Sequence, residues 1–205
     1  MENPWADIKV ADYKGHMKFI EQYDLLNRIF KEQTSEYPYD TIAILGIGCG
    51  NGLEHIRPNT VVYGYDINSH FLGECHRQHE CSNYKLMLSK VDLADKKVYV
   101  NPCDILISNL VVEYIGKYNF IRIINKSTPT HISIVLQMTF DKEKAISDSP
   151  YKNVLCHVST IRTEIFPQDL TNMLNSIGYQ LIYSKMYEIN QCKSFIRMDF
   201  CIDND

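Results

Sequence analysis

The chain lacks most features that would assign it quickly. Of its 205 residues only one is tryptophan, Trp5, and none of its seven cysteines sits in a CxxC pair. An odd cysteine count without paired spacing argues against a disulfide framework. Because the N-terminal stretch also has no apolar secretory core, the expectation is reduced thiols in a cytoplasm. No apolar run is long enough to span a bilayer, so no membrane partner is expected. No block of like charge stands out, and a formal net charge of -4 offers no basic footprint for a phosphate backbone, which argues against nucleic acid. There is no internal repeat, low-complexity tract or Pro/Gly-rich linker, and the length suits one well-buried domain over 1–205. None of this speaks to oligomeric state.

What the chain does have is IAILGIGCGNGLEHI at 42–56, with glycines at 46, 48, 50 and 52. Glycine permits positive φ and lets a ligand approach bare backbone. The residues after it read as the start of a helix, whose N-terminus would add unpaired N–H groups and partial positive charge. The stretch is therefore a candidate ligand cradle. Upstream, Met17, Ile20, Leu25, Leu26, Ile29 and Phe30 recur at helical spacing, predicting one helix over 15–32. Downstream, apolar runs of strand length at 61–65, 84–88, 104–109 and 132–138 alternate with helical patterns at 69–80 and 117–126. Near-continuous apolar strands between helices indicate a parallel sheet covered on both faces. A helix over 167–177, with Pro167 in its first turn and Gly178 past its end, then leads to strands at 180–189 and 194–202, joined closely enough to be antiparallel.

The glycine spacing separates two ligand classes. A dinucleotide fold asks for GxGxxG, and both registers fail, at Asn51 and at Leu53. Gly48-Cys49-Gly50-Asn51-Gly52 is GxGxG instead. Asp66 closes the second strand, where a carboxylate can accept both hydroxyl protons of a ribose. Asp92 follows the third strand and can accept a hydrogen bond from an adenine amino group.

With these four segments in order, the sequence resembles the class I, seven-stranded S-adenosylmethionine-dependent methyltransferases along nearly its whole length. The resemblance implies an α/β, Rossmann-like, doubly wound, mostly parallel seven-stranded sheet that ends in an antiparallel hairpin. It implies S-adenosyl-L-methionine as cofactor, with Gly48, Gly50 and Gly52 against its methionine and ribose. Asp66 and its neighbour Ile67 fall at the ribose, and Asp92 and Leu93 at the adenine. The run from Asp104 to Leu110 matches the segment that ends beside the reacting methyl group, bringing Asn109 and Leu110 there. Asp104 itself is expected to shape the start of its strand. The family usually has an acid two residues before the first glycine, where it meets the methionine ammonium; here that residue is Gly46. The backbone carbonyls of Gly46 and Asn109 are the candidates to replace it.

The organisation that follows is an N-terminal helical lid (1–32), a cofactor-binding core (40–138) and a substrate-side part (139–205). Tyr13 and His16 lie where relatives fold a segment over the cofactor, with Trp5, Tyr13, Ile8 and Val10 as its anchors; the alternative is a surface helix start. Asn109, Glu113 and Tyr114 are the candidate catalytic residues. Glu113 reads as a base, as a holder of an amine, or as an exposed helix acid. Cys75, His79 and Cys81 have tempting metal spacing, but a solvated outer helix is the expectation and no metal is predicted. No Asn-Pro-Pro-Tyr segment is present and there is no added domain, so the acceptor pocket must come from 1–30 and 139–166, which suits a small molecule. Binding of S-adenosylmethionine without turnover, and methylation of protein or RNA, stay open as alternatives.

Overall fold

The apolar runs form β1 (Thr41–Leu45), β2 (Val61–Asp66), β3 (Lys85–Lys90), β4 (Ile105–Asn109) and β5 (His131–Thr139), and the C-terminal pair is β6 (Tyr179–Asn190) and β7 (Lys193–Ile202). In the computed structural model, which describes residues 3–139 and 149–203, they make one seven-stranded sheet ordered β3-β2-β1-β4-β5-β7-β6. The first five strands run parallel, while β7 lies antiparallel to both β5 and β6. Central strands have no polar face to show: Ile42, Ala43, Ile44 and Leu45 are all buried, as are Ile105, Leu106 and Ile107.

Two layers of helix cover this sheet. On one face α5 (Lys117–Ser127) and α7 (Pro167–Asn175) place Phe120, Ile123, Ile124, Leu170 and Leu174 on Leu45, Leu106 and Phe200. On the other, α2 (Gln22–Glu36) and α3 (Ser69–His79) bury Phe30, Leu72 and Cys75 against Ile42, Ile44 and Ile107.

Two expectations are corrected. The single helix predicted over 15–32 is two, α1 (Val10–Phe19) and α2, because Glu21 takes a left-handed conformation (φ 58) between them. Apolar periodicity carries across the break, so it hid the turn. Second, the helix expected directly after the glycines is a single 3-10 turn, Leu53–His55. The α2 helix covers that part of the sheet instead, with the Phe30 ring against Gly52. The cradle thus has backbone N–H groups but no helix dipole behind it.

Asp104 does what the sequence predicts. Its Oδ2 accepts hydrogen bonds from Asp40 N–H (2.9 Å), Thr41 N–H (2.8 Å) and the Thr41 hydroxyl (2.8 Å), tying the starts of β1 and β4 together. Burial pushes its pKa up, but those three donors outweigh it and hold the carboxyl below its ordinary value. A depressed carboxylate stabilises above its unfolded pKa and loses that contribution as pH falls through the folded one. Asp104→Ala should therefore cost about 1–2 kcal/mol at neutral pH. In urea titrations the gap to wild type should shrink below about pH 4. An equal gap at pH 7 and at low pH would contradict the assignment.

Candidate functional site

The strand order reverses beside β1, so the connections from β1 and β4 leave in opposite directions and open a crevice at their carboxyl ends. A cavity of about 1230 Å³, its open mouth included, lies there. Sheet order fixes the order of its lining residues: Asp92 after β3, Asp66 ending β2, Gly46 and Gly48 after β1, Asn109 ending β4, and Lys193 starting β7. Because β7 is antiparallel, its start lies at the same end of the sheet as the other strands' finishes.

Asp66 is buried in this wall. Its Oδ2 accepts from Gly48 N–H and its Oδ1 from Asn68 N–H, both at 2.9 Å. Burial raises its pKa, and the N–H groups of Asn68, Gly48 and Ile67 draw it back only partly. Asn68 caps α3 through its Oδ1 on His70 N–H and Phe71 N–H, and its Nδ2 donates to the carbonyls of Trp5 (2.9 Å) and Ile8 (2.8 Å). A short chain thus links the Asp66 carboxylate to the N-terminal segment.

The four glycines divide. Gly46 and Gly48, with φ of 65 and 56, line the cavity. A Cβ on Gly48 would meet only the Tyr13 hydroxyl at 3.9 Å, so bare backbone faces open space there. Gly50 and Gly52 do not line it: a Cβ on Gly50 would strike His79 Nε2 (2.8 Å) and Cys75 Sγ (2.9 Å), and one on Gly52 the Phe30 ring (2.8 Å). They make room for α3 and α2. Ile67, Leu93, Leu110 and Tyr13 line the cavity, and Asp92 Oδ1 accepts from Ala94 N–H at 2.9 Å.

Of the catalytic candidates, Asn109 has its amide paired with Gln33 in both directions at 2.9 Å. Gln33 also donates to Ser133 Oγ, which donates to Asp199, itself gripped by the Arg197 guanidinium. Gln33, Ser133, Arg197 and Asp199 are buried in the layer between α2 and the sheet.

Glu113 belongs to α4 (Val112–Ile115) and is 2% exposed, which overturns the exposed-acid alternative. Its Oε1 accepts from Gln137 N–H at 2.7 Å, whereas its buried Oε2 has no partner among the described residues. Burial raises its pKa against the opposing pull of that N–H and of the Arg162 charge. Tyr114 is edge-on to Trp5, centroids 5.1 Å apart, and burial lifts its hydroxyl well above the ordinary range.

The N-terminal segment is docked on the body. Tyr13 packs on Phe71 (4.9 Å) and edge-on to Trp5 (6.4 Å), with Ile8 buried beneath. His16 Nδ1 shares a hydrogen bond with Ser149 Oγ at 2.7 Å, and burial, with the Lys193 charge second, lowers its pKa. Of the 139–166 connection, α6 (Lys152–Leu155) is described and residues 140–148 lie outside the described residues.

The outer-helix expectation for 74–81 needs correcting in part. Cys75 is fully buried, and His79 Nε2 hydrogen-bonds the Gly50 carbonyl at 3.0 Å, so one face of α3 supports the glycine turn. Among the described residues no group of three His, Cys, Asp or Glu is placed to hold a metal. No disulfide joins any of the seven cysteines, and no helix among the described residues is long and apolar enough to cross a membrane.

Sequence reasoning missed Gln22, Gln137, Arg162 and Lys193, all of which line the cavity. They come from separate elements and form no motif. Gln22 alone left a signal: with Leu26, Ile29 and Gln33 it continues one stripe of α2.

The sequence matches no protein-family model and no curated protein. Solved structures do match. A magnesium protoporphyrin IX methyltransferase from Synechocystis PCC 6803 with bound SAH superposes with a TM-score of 0.63 at 14% identity, covering 98% of this chain and 91% of that one. A geranyl diphosphate methyltransferase in complex with GPP and sinefungin gives 0.61 at 7% identity, covering 87% and 77%. The (4+2)-cyclase SpnF gives 0.63 at 10%, covering 88% and 81%. The fold is therefore that of the class I S-adenosylmethionine-dependent methyltransferases, a fold that also carries a cyclase.

Proposed function

We propose that the protein is an S-adenosylmethionine-dependent methyltransferase acting on a small-molecule acceptor. The observation that carries this reading is the joint placement of Asp66, Asp92 and the bare backbone of Gly46 and Gly48 along one end of a cavity that continues past β4 to β7. The residues fit the cofactor. Each Asp66 oxygen accepts one backbone N–H and keeps lone-pair capacity for a ribose hydroxyl. Asp92 takes the adenine amino group, and the space above Gly48 admits the chain between sugar and sulfur. The carbonyls of Gly46 and Asn109 take the ammonium in place of the missing acid.

S-Adenosylmethionine supplies an electrophilic methyl group, and the chain supplies orientation and a dry site. Trp5, Tyr13 and Tyr114 pack edge-on at the cavity wall and are the side chains placed to shield the reacting groups from water. Glu113 is the buried acid on hand to take a proton from an acceptor or to hold an amine. The nearness of the N-terminal segment, whose Trp5, Tyr13 and His16 line the cavity, favours a small acceptor over a polymer.

Titration calorimetry with S-adenosylmethionine and S-adenosylhomocysteine should give one-to-one binding, and labelled methyl should pass to a component of a small-metabolite extract. No heat and no competition at millimolar ligand would end the reading. Binding without any transfer would favour a non-methylating role, the second reading, which Gly46 in place of the usual acid supports.

A further expectation concerns the lid. Trp5 is the sole tryptophan, packs on Tyr114 and lines the cavity. Saturating S-adenosylhomocysteine should shift its emission. An indifferent spectrum alongside calorimetric binding would make the segment a packing element.

A further inference from the structure

Two polar atoms at the β4–β7 end of the cavity have no partner among the described residues, and together they specify what the acceptor must look like. Gln22 is 3% exposed, and its Nε2 is buried with no hydrogen-bond partner. It heads α2, just after the left-handed turn at Glu21, on the stripe that carries Leu26, Ile29 and Gln33 toward the sheet. Glu113 is 2% exposed, and its Oε2 is likewise buried and unpartnered. Both residues line the one cavity, with Met17, Ile20, Leu26 and Leu110 contributing apolar wall.

A buried donor or acceptor left unmade is costly and calls for an account, by strain, an ordered water or ion, or a ligand. For atoms on cavity-lining residues a ligand is the account, and Trp5 Nε1 is a third such atom, on the N-terminal segment. Gln22 Nε2 only donates, so it asks for an oxygen acceptor. Glu113 Oε2, as a carboxylate, asks for a donor. The Glu113 carboxylate sits at the turn out of β4, held by the Gln137 N–H of β5, and Gln22 comes from the helix that packs on β5 and β7.

Resting on the methyltransferase reading, we infer that the acceptor is a small bifunctional molecule: a hydroxyl or amine donating to Glu113 Oε2, and a carbonyl or carboxylate oxygen accepting from Gln22 Nε2, joined by an apolar body. Methyl transfer then forms the bond from the acceptor oxygen or nitrogen to carbon. The sulfur–methyl bond breaks with its electron pair left on sulfur, and the acceptor's proton goes to Glu113 Oε2. Arg162, whose guanidinium donates to the Gln137 carbonyl at 3.1 Å, keeps a positive charge near that carboxylate.

The test has two arms, both read by melting temperature. First, in protein without added ligand, Gln22→Leu should raise Tm by about 2–4 °C, since it removes an unmatched buried donor. A structural role for the amide would lower it. Second, three compound pools are added with and without S-adenosylhomocysteine: hydroxy- or amino-acids and amides carrying both groups, matched compounds lacking the donor, and matched compounds lacking the oxygen acceptor. Only the first pool should protect wild type, and Gln22→Leu and Glu113→Gln should each lose that protection. A fall in Tm for Gln22→Leu, equal protection by a single-function pool, or no protection by the bifunctional pool overturns the inference. The shift given by S-adenosylhomocysteine alone, read on the same plates, reports the cofactor reading separately.

Discussion

Asp66→Ala should weaken S-adenosylhomocysteine binding by about 1.5–3 kcal/mol, roughly ten- to hundredfold, the range for hydrogen bonds to a charged group. From the sequence alone the same change should leave the ligand-free protein as stable as before, because Asp66 reads as a site residue and not as core. The structure alters that second half. Asp66 is 9% exposed and satisfies Gly48 N–H and Asn68 N–H. Its loss strands two backbone donors and loosens Asn68, which caps α3 and holds the Trp5 and Ile8 carbonyls. A stability loss of about 1–3 kcal/mol should accompany the affinity loss. Asp66→Asn separates the two effects: its amide oxygen retains one of the backbone bonds, so stability should recover in part, while the uncharged group still binds ribose weakly. Calorimetry and urea denaturation on the three proteins check this. An unchanged dissociation constant in Asp66→Ala would move the ribose elsewhere.

The legible parts of this molecule were those with a local signal. Strand runs, the C-terminal hairpin and the glycine turn show in composition and period, and every strand forms within a residue or two of its predicted place. The glycine turn was legible as a feature but not in its division of labour, since nothing local tells Gly48, open to the cavity, from Gly52, pressed on Phe30. The missing helix after the turn and the break at Glu21 were hidden because apolar spacing is satisfied either way. The polar layer under α2 was invisible for a different reason. Gln33, Asn109, Ser133, Asp199 and Arg197 are brought together across 166 positions of sequence, from 33 to 199, and each alone reads as an ordinary polar residue at a strand or helix position. Asn109 illustrates the consequence: its place beside the cavity followed from the sequence, whereas its commitment to Gln33 followed only from tertiary packing.

Gly46 should be the least replaceable glycine of the four, and introducing the acid that the sequence resemblance leads one to expect there should harm the protein. Its φ of 65 costs any other residue roughly 1–2 kcal/mol. A Cβ there would also lie 2.4 Å from Val111 Cγ2, an overlap worth about 1–3 kcal/mol if the core yields as overpacked cores do. Gly46→Ala should therefore lose about 2–5 kcal/mol of stability, and Gly46→Asp at least as much. The cause lies in the neighbouring turn: Leu110, itself at φ 59, swings the chain out of β4 so that Val111 occupies the space a side chain on residue 46 would need. Glycine at 46 and the β4–α4 turn are thus one adaptation, and the acid cannot be put back singly. Val111→Ala removes the clashing methyl, so in that background Gly46→Ala should cost only its backbone term. The pair should be non-additive by about 1–3 kcal/mol, a coupling expected only of residues in contact. Urea denaturation of the wild type, the two single variants and the double variant measures it. Additive losses would mean that Val111 does not fill the space, and that the absence of an acid at 46 has another origin.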